Sequence, residues 1–514
     1  MRLIAPVLVA LLVLGGPMAG EPDDFGVTGD ARTVGEPSFP ASMCSTLVAQ
    51  QSEALLDQGR FDTGRLQAAI DSCPRGQAVH LVANNADNAF LTQPIALDPG
   101  VTLLLDPEVT LFGSTNKSDY NCDSAANWCT PLITVASTNE AAGEGSAIMG
   151  YGIIDGQGAT WWPDGDPRPR LVQLGDHNRN THADNFTAYK ITLRNSPKMN
   201  LMGIGDHVTV WGVKISNPPD SPNTDGIDPS ASSNWTITRS YISDGDDQIA
   251  IKAGVGHVSN ITISDNHLYT GHGISIGSAT SAGVDNILVT DNVIDQAGCA
   301  GCGSSNDIRI KSDVSRGGEV ENVLYRDLCI RNAPGTTHAF VFDPAYDRNA
   351  TGSLVPFMHD IHLQNINVVN AGAPNTFVGL DSDHVLTLTV DNVVPDLPRS
   401  SDRAENVQFT ASDSSAPPYD CSEKFTQLAA DLTSTQPRSV IAILDNVVQP
   451  APPPTGTITL LENGKTLASA PVAGRLTQIN LQTVASGPHT LTAHYSGDQT
   501  YAPLDFGSLT LQTR

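Results

Sequence analysis

Basic residues are scarce in this chain: 28 Lys and Arg face 55 Asp and Glu over 514 residues, for a net charge of -27 and a sequence pI near 4.6. A surface of that sign repels phosphate backbones, and no basic patch interrupts it, so nucleic acid is excluded as a partner. A polyanionic substrate is excluded as well unless the site supplies its own cations. Charge of either sign is sparse, at 16% of residues against 39% hydrophobic, with 45 Gly and 34 Pro. That composition excludes a disordered chain and implies a sizeable core. A long apolar run is also lacking. The run from Leu3 to Leu14 is about a dozen residues, short of the roughly 20 that cross a bilayer, and no later segment is longer. With Arg2 before it and the small-residue stretch Gly15 to Gly20 after it, segment 1–20 reads as a signal peptide. The mature chain is expected to start near Glu21, secreted to an extracellular or periplasmic compartment without a membrane span.

Export places the eight Cys where an even count means disulfides rather than metal ligands. Cys44 with Cys73 and Cys122 with Cys129 are the expected local pairs. Cys299-Ala-Gly-Cys302 has no second pair nearby, so it reads as a structural disulfide rather than a zinc or redox site. The sequence leaves the pairing among Cys299, Cys302, Cys329 and Cys421 open.

Amphipathic helical stretches are few after Gly152, and short alternating apolar segments recur in their place. Asn234-Trp-Thr-Ile-Thr, Asn260-Ile-Thr-Ile-Ser and Asn286-Ile-Leu-Val-Thr follow one another at 26 residues, with looser copies at Asn322-Val-Leu-Tyr, Ile361-His-Leu and Leu386-Thr-Leu. Apolar residues at period two closed by Ser-Asp or Asp-Asn corners describe a strand and its turn, and a repeat of such units describes a solenoid. The fold class expected is all-β, a right-handed parallel β-helix. The part from 27 to 110 carries one expected helix, Thr63 to Ser72 with Asp62 as its cap, and would plug the open end of the solenoid.

The composition shifts at Gln449-Pro-Ala-Pro-Pro-Pro454. Beyond it Thr457 to Leu461 and Lys465 to Ala468 flank Asn463-Gly464, a strong hairpin signal. His489 to Tyr495 alternates, and Ser439 to Leu444 joins the same unit. The stretch resembles bacterial immunoglobulin-like domains, a small β-sandwich. The expected organisation is 1–20 signal peptide, 21–421 β-helix with its N-terminal cap, and 422–514 sandwich.

One set of polar residues stands in coil register. Asp225 lies in Asn223-Thr-Asp-Gly226, and Asp246 and Asp247 lie 21 and 22 residues later in Gly245-Asp-Asp-Gln248. Gly271-His272-Gly273 follows one coil on, and then Arg309-Ile-Lys311, whose Ile turns inward while its two cations turn out. Coils stack at ~4.8 Å, so these side chains share a surface. Each motif alone reads as turn chemistry, the reading given to Asp228 and Asp244. Together, like charges stacked a coil apart would be self-repelling without a use.

In this order and spacing the four motifs resemble those of the family 28 glycoside hydrolases, the polygalacturonases. Ile154-Asp-Gly-Gln-Gly158 and Asn195-Ser-Pro197 extend the resemblance over roughly 30–420. It implies inverting hydrolysis of α-1,4-linked galacturonan without cofactor or metal, by a monomer. Asp246 would be the general acid, and Asp225 with Asp247 would activate water. His272 would tune the acid's proton, while Asn223, Arg309 and Lys311 would bind substrate. Clustered ionised carboxylates are expected to raise Asp246. The family's substrate-binding Tyr falls at His338 or is replaced by Tyr346. A pectate lyase, which would need Ca²⁺ and a basic proton acceptor, and a non-catalytic β-helix carbohydrate-binding or adhesin protein are the competing readings.

Overall fold

The computed structural model describes residues 25–513 apart from 136–144, 298–304, 334, 371, 412–415, 423, 437 and 483. The expectations for 1–20 and for Cys299 and Cys302 fall outside the described residues. Within them the chain winds as a parallel β-helix with three ladders. One runs from Met43–Val48 to Val407–Ala411, a second from Ala89–Thr92 to Gly318–Arg331, and the third stacks eleven strands from Ile95–Leu97 to Arg403–Glu405. Every pairing in them is parallel and in register. Trp235 pairs with Ile261, Ile261 with Ile287, Ile287 with Val323, Val323 with Ile361 and Ile361 with Leu388. All six are buried, so the sequence repeat is one apolar row along the core.

The Asn that opens each repeat has a backbone reason. Asn234, Asn260, Asn286 and Asn322 sit at φ 58°, 58°, 54° and 55°, the left-handed region that Asn tolerates better than most residues. Their amides also stack, with Asn286 Nδ2 donating to Asn260 Oδ1 at 2.6 Å.

The helix spans Thr63–Asp71 and buries Leu66, Ala69 and Ile70 against the first coils. Asp62 holds the N-cap position, but its carboxylate makes no capping bond. It accepts instead from Leu91 N at 2.9 Å and Arg65 Nε at 2.7 Å, fastening the helix to a coil strand. Residues 25–39 belong to no cap. They form a strap across the outside of the coils: Phe25 stacks on His362, Thr28 and Gly29 donate to Asn286 Oδ1, and Arg32 donates to the His207, Val208 and Asn234 carbonyls. Glu36 meets Tyr189 and Lys190, and Phe39 meets Tyr151.

The C-terminal module is a sandwich of three antiparallel strands, Ala429–Gln436, Ser439–Asp445 and Leu476–Asn480, over four. Asn463 and Gly464, at φ 50° and 74°, make the expected two-residue turn between Thr457–Glu462 and Lys465–Pro471. Leu491, Ala493 and Tyr495 face its own core with Val440, Ile458 and Leu460. Cys44–Cys73 and Cys122–Cys129 are bonded as expected, and Cys329–Cys421 ties the coil strand Gly318–Arg331 to the segment entering the module.

The module lies flush on the solenoid flank. Ile441 and Ile443 pack on Tyr151, Arg475 donates to the Tyr151 and Pro107 carbonyls, and Ser216 Oγ donates to Val447 O. At the centre Asp431 bridges Lys190 at 2.9 Å and Lys214 at 2.5 Å, from neighbouring coils. Burial alone would push this carboxyl up, but the attraction of Lys214 and Lys190 prevails and holds it at about 2. Its unfolded value is about 3.9, so the contribution, on the order of 2 kcal/mol, is complete above pH ~4 and disappears as pH falls through about 2. Asp431→Ala, which strands two lysines in the seam, is expected to cost about 3–5 kcal/mol. Thermal unfolding of the two proteins at neutral pH and at pH ~2 checks both statements, the difference being large at the first and small at the second.

Candidate active site

The eleven-strand face carries the site. Asp225 precedes Ile227–Pro229, Asp246 and Asp247 precede Ile249–Ile251, His272 precedes Ile274–Gly277, and Arg309 and Lys311 lie within Ser305–Lys311. In these strands Ile227, Ile249, Ile274, Ile308 and Ile310 point into the core, so the residues between them face out. Register then brings Ser275 beside Arg309 and Gly277 beside Lys311.

The glycines around His272 are required by contact. A Cβ on Gly273, at φ +70°, would stand 2.0 Å from the Asp307 carbonyl, and one on Gly271 would stand 2.7 Å from the Asp244 carboxylate. Only a bare backbone passes between these coils, and the passage delivers the imidazole to the acids. His272 N donates to Asp246 O at 2.7 Å, and its Nδ1 lies 3.3 Å from Asp246 Oδ1 and 3.9 Å from Asp247 Oδ1.

The three carboxylates differ sharply in surroundings. Asp247, with 1% of its side chain exposed, accepts from Arg309 Nη2, Lys311 Nζ at 2.9 Å and Ser275 Oγ at 2.9 Å. Burial opposes its charge, but Arg309, Lys311 and Lys252 overcome that and hold it well below the usual carboxylate range. Asp225, 5% exposed, accepts from Lys252 Nζ at 2.9 Å, yet burial prevails over that bond and pushes it up. Asp246 has 22% of its side chain exposed and touches His272 and the Asn223 amide at 3.3 Å. The expected rise at Asp246 does not hold in the free protein. Burial and Asp247 push it up, but the bond to His272 and the fields of His272 and Lys311 bring it down.

The flanking acids divide. Asp244 accepts from Asp246 N at 3.1 Å, the turn role expected of it. Asp228 makes no hydrogen bond and lies fully buried 3.6 Å from Lys252, and burial drives it far above the ordinary range, so it is carried neutral.

Arg309 and Lys311 thus hold Asp247 before any substrate arrives. Tyr346 covers both cations, its ring centre 5.1 Å from Lys311 Nζ and 5.7 Å from Arg309. His338 pairs with Asn306, further along the strand, and bonds the Pro374 carbonyl, so Tyr346 is the aromatic residue of the site. Three participants went unread in the sequence. Lys252 repeats the pattern of Arg309-Ile-Lys311, a cation one step beyond an inward Ile, and could have been found. Ser275, in outward register with Arg309, and Arg168 gave no such signal. Arg168 donates to Asn223 Oδ1 at 2.8 Å and to the Pro197 and Pro222 carbonyls, turning the Asn223 amide toward Asp246. Oxygens of Asp246 and Asp247 and a nitrogen of His272 lie within 4.8 Å of one another, a spacing that suits a metal ion. Asp247 already takes two cations and a hydroxyl, so a metal would have to displace them.

Residues 78–412 match the sequence family described as Glycosyl hydrolases family 28. The chain belongs to that family. It is a glycoside hydrolase, and residues 427–513 match the Bacterial Ig-like domain (group 3). This family 28 hydrolase is 36% identical over 465 residues to a polygalacturonase of Ralstonia nicotianae, covering 75% of this chain and 83% of that one. It is likewise 36% identical over 392 residues to an endo-polygalacturonase of Pectobacterium carotovorum subsp. carotovorum, covering 71% and 89%. The solved polygalacturonase of Erwinia carotovora ssp. carotovora superposes with a TM-score of 0.61 at 32% identity, covering 74% of this chain and all of that one.

Lys252→Met removes the cation that Asp225 and Asp228 share. The Asp225 carboxyl, already pushed up by burial, is expected to rise by a further unit or more. A base must be deprotonated, so the acidic limb of the kcat/KM profile of this hydrolase should move to higher pH, with Lys252→Arg largely restoring it. A pH–rate series on the three proteins measures the shift.

Proposed function

We propose that the chain is a secreted, monomeric hydrolase of pectin that cleaves α-1,4-linked galacturonan with inversion, its segments being 1–20, 21–421 and 422–514 as read from the sequence. The observation that carries the role assignment is the contrast among the three carboxylates. Asp225 and Asp247 lie at the floor of the cleft, each gripped by a lysine, and only Asp246 is reachable and free of a direct cation partner. The reachable group protonates the departing glycosidic oxygen, while the two held at the floor orient and deprotonate water. Names borne by the relatives support galacturonan as the polymer. So does the site's own charge, because Lys311 and Arg309 supply cations inside a protein of net charge -27.

The low-lying Asp246 of the free protein fits this role through the substrate. A uronate carboxylate seated on Lys311 cancels part of the field that lowers Asp246, and sugar in the cleft adds desolvation. Both raise the acid. Asn223 and Tyr346 complete the cradle, and His272, against Asp246, keeps its proton in place.

Polygalacturonate incubated with the protein is expected to give saturated reducing ends of inverted configuration by NMR. Unsaturated ends would mean a lyase, and no new ends a binding protein. Asp246→Asn should lower polymer hydrolysis by about 10²–10⁴-fold while comparatively sparing any activated aryl glycoside accepted, whereas Asp225→Asn should impair both. The basic limb of kcat should lie at higher pH than that of kcat/KM, because the first reports the acid in the complex and the second in the free enzyme. Coincident limbs would count against a substrate-raised Asp246.

A further inference from the structure

Beyond the carboxylates, on the same face, the cleft floor continues toward the first coils. The outward row runs Asp228, Met202, Gln173, Thr134, each in register with the next. Beside it opens a cavity of about 310 Å³ lined by Trp128, Arg170, Gln173, His177, Arg179 and Met202. At the coil spacing, Gln173 lies about 10 Å from Asp228, a distance for an oligosaccharide to cover rather than a single sugar.

Arg170 is the residue that calls for a ligand. Its guanidinium donates to Gln173 Oε1 and, among the described residues, stands in no ion pair. Gln173 cannot turn to offer more, because its amide nitrogen is committed to the Leu174 and Gly175 carbonyls at 3.1 and 3.0 Å. Burial pushes the Arg170 guanidinium down against the distant pull of Asp228, Asp176 and Asp225, so it is desolvated without a partner. Such a group gains most from an anion arriving in the cavity. Across the cavity Trp128 is held rigid, its backbone paired both ways with Asp123 inside the loop closed by Cys122–Cys129. Arg179 lies over its ring at 5.9 Å and reaches Asp176 at 3.4 Å, leaving most of its side chain exposed.

We propose that this cavity is a distal uronate subsite, in which Arg170 pairs with a sugar carboxylate, Trp128 carries the sugar ring and Arg179 supplies a second cation. The proposal rests on the galacturonan reading, and saturated product from polygalacturonate by the unaltered enzyme establishes that reading first. The subsite is then tested with galacturonate oligomers of graded length on the full chain and on Arg170→Gln and Trp128→Ala. Losing one charge-assisted contact, the ratio of kcat/KM for a hexamer to that for the shortest cleaved oligomer should fall about tenfold in each variant. Methyl-esterified hexamer should show a smaller fall with Arg170→Gln, since the carboxylate is masked. Should Arg170→Gln fail to fold, Trp128→Ala, on an outer loop, decides alone. An unchanged ratio, or an equal loss at every length, overturns the proposal while leaving the hydrolase reading intact.

Discussion

Everything in this molecule hangs on coils stacking in register at strand spacing. The same ladder that lays Trp235, Ile261 and Ile287 in one apolar row lays Asp225, Asp247, Ser275 and Arg309 on successive levels of another face. A slip by one residue would turn the Ile side chains to solvent and the charges into the core. The site therefore needs no loop to assemble it; core packing and site geometry are two sides of the same strands.

That economy forces an electrostatic problem, because acids a coil apart in a dry floor repel one another and lose hydration. The protein answers it unevenly. Asp247 is ionised by Arg309 and Lys311, Asp225 is balanced between burial and Lys252, Asp228 is carried neutral, and Asp246 is left at the surface with His272. Four carboxyls of one chemical type thus hold distinct proton affinities within a few coils, which is the condition for dividing acid and base work. The cations do two jobs at once, supporting Asp247 and offering charge to an anionic sugar.

The repeats, the hairpin at Asn463-Gly464, two disulfides and the whole set from Asn223 to Lys311 were legible because each leaves a local trace: a period, a turn pair, a spacing, a motif. What stayed hidden acts across long separations. Nothing in the sequence near Asp431 says that Lys190 and Lys214 await it, and nothing near Arg168 points to Asn223. Asp62 shows a different failure. Its position was read correctly, but a carboxylate offered both an arginine and a strand N–H forms those bonds instead of a cap. The rise expected at Asp246 missed because counting neighbouring acids omitted the imidazole that the Gly-His-Gly passage places against it.

The strap carries a consequence for the order of folding. Thr28 and Asn286 are 258 residues apart in the chain, and Phe25 reaches a ring still further along, at His362. The earliest described residues can therefore dock only onto strands that follow much later, after the intervening coils exist to present them. Contacts of that separation are formed late, since their loop-closure entropy is met only once the rest is in place. Interactions absent from the transition state leave the folding rate nearly untouched and slow unfolding instead. The strap thus works as a latch on a finished solenoid, lengthening the lifetime of the folded enzyme rather than guiding its formation.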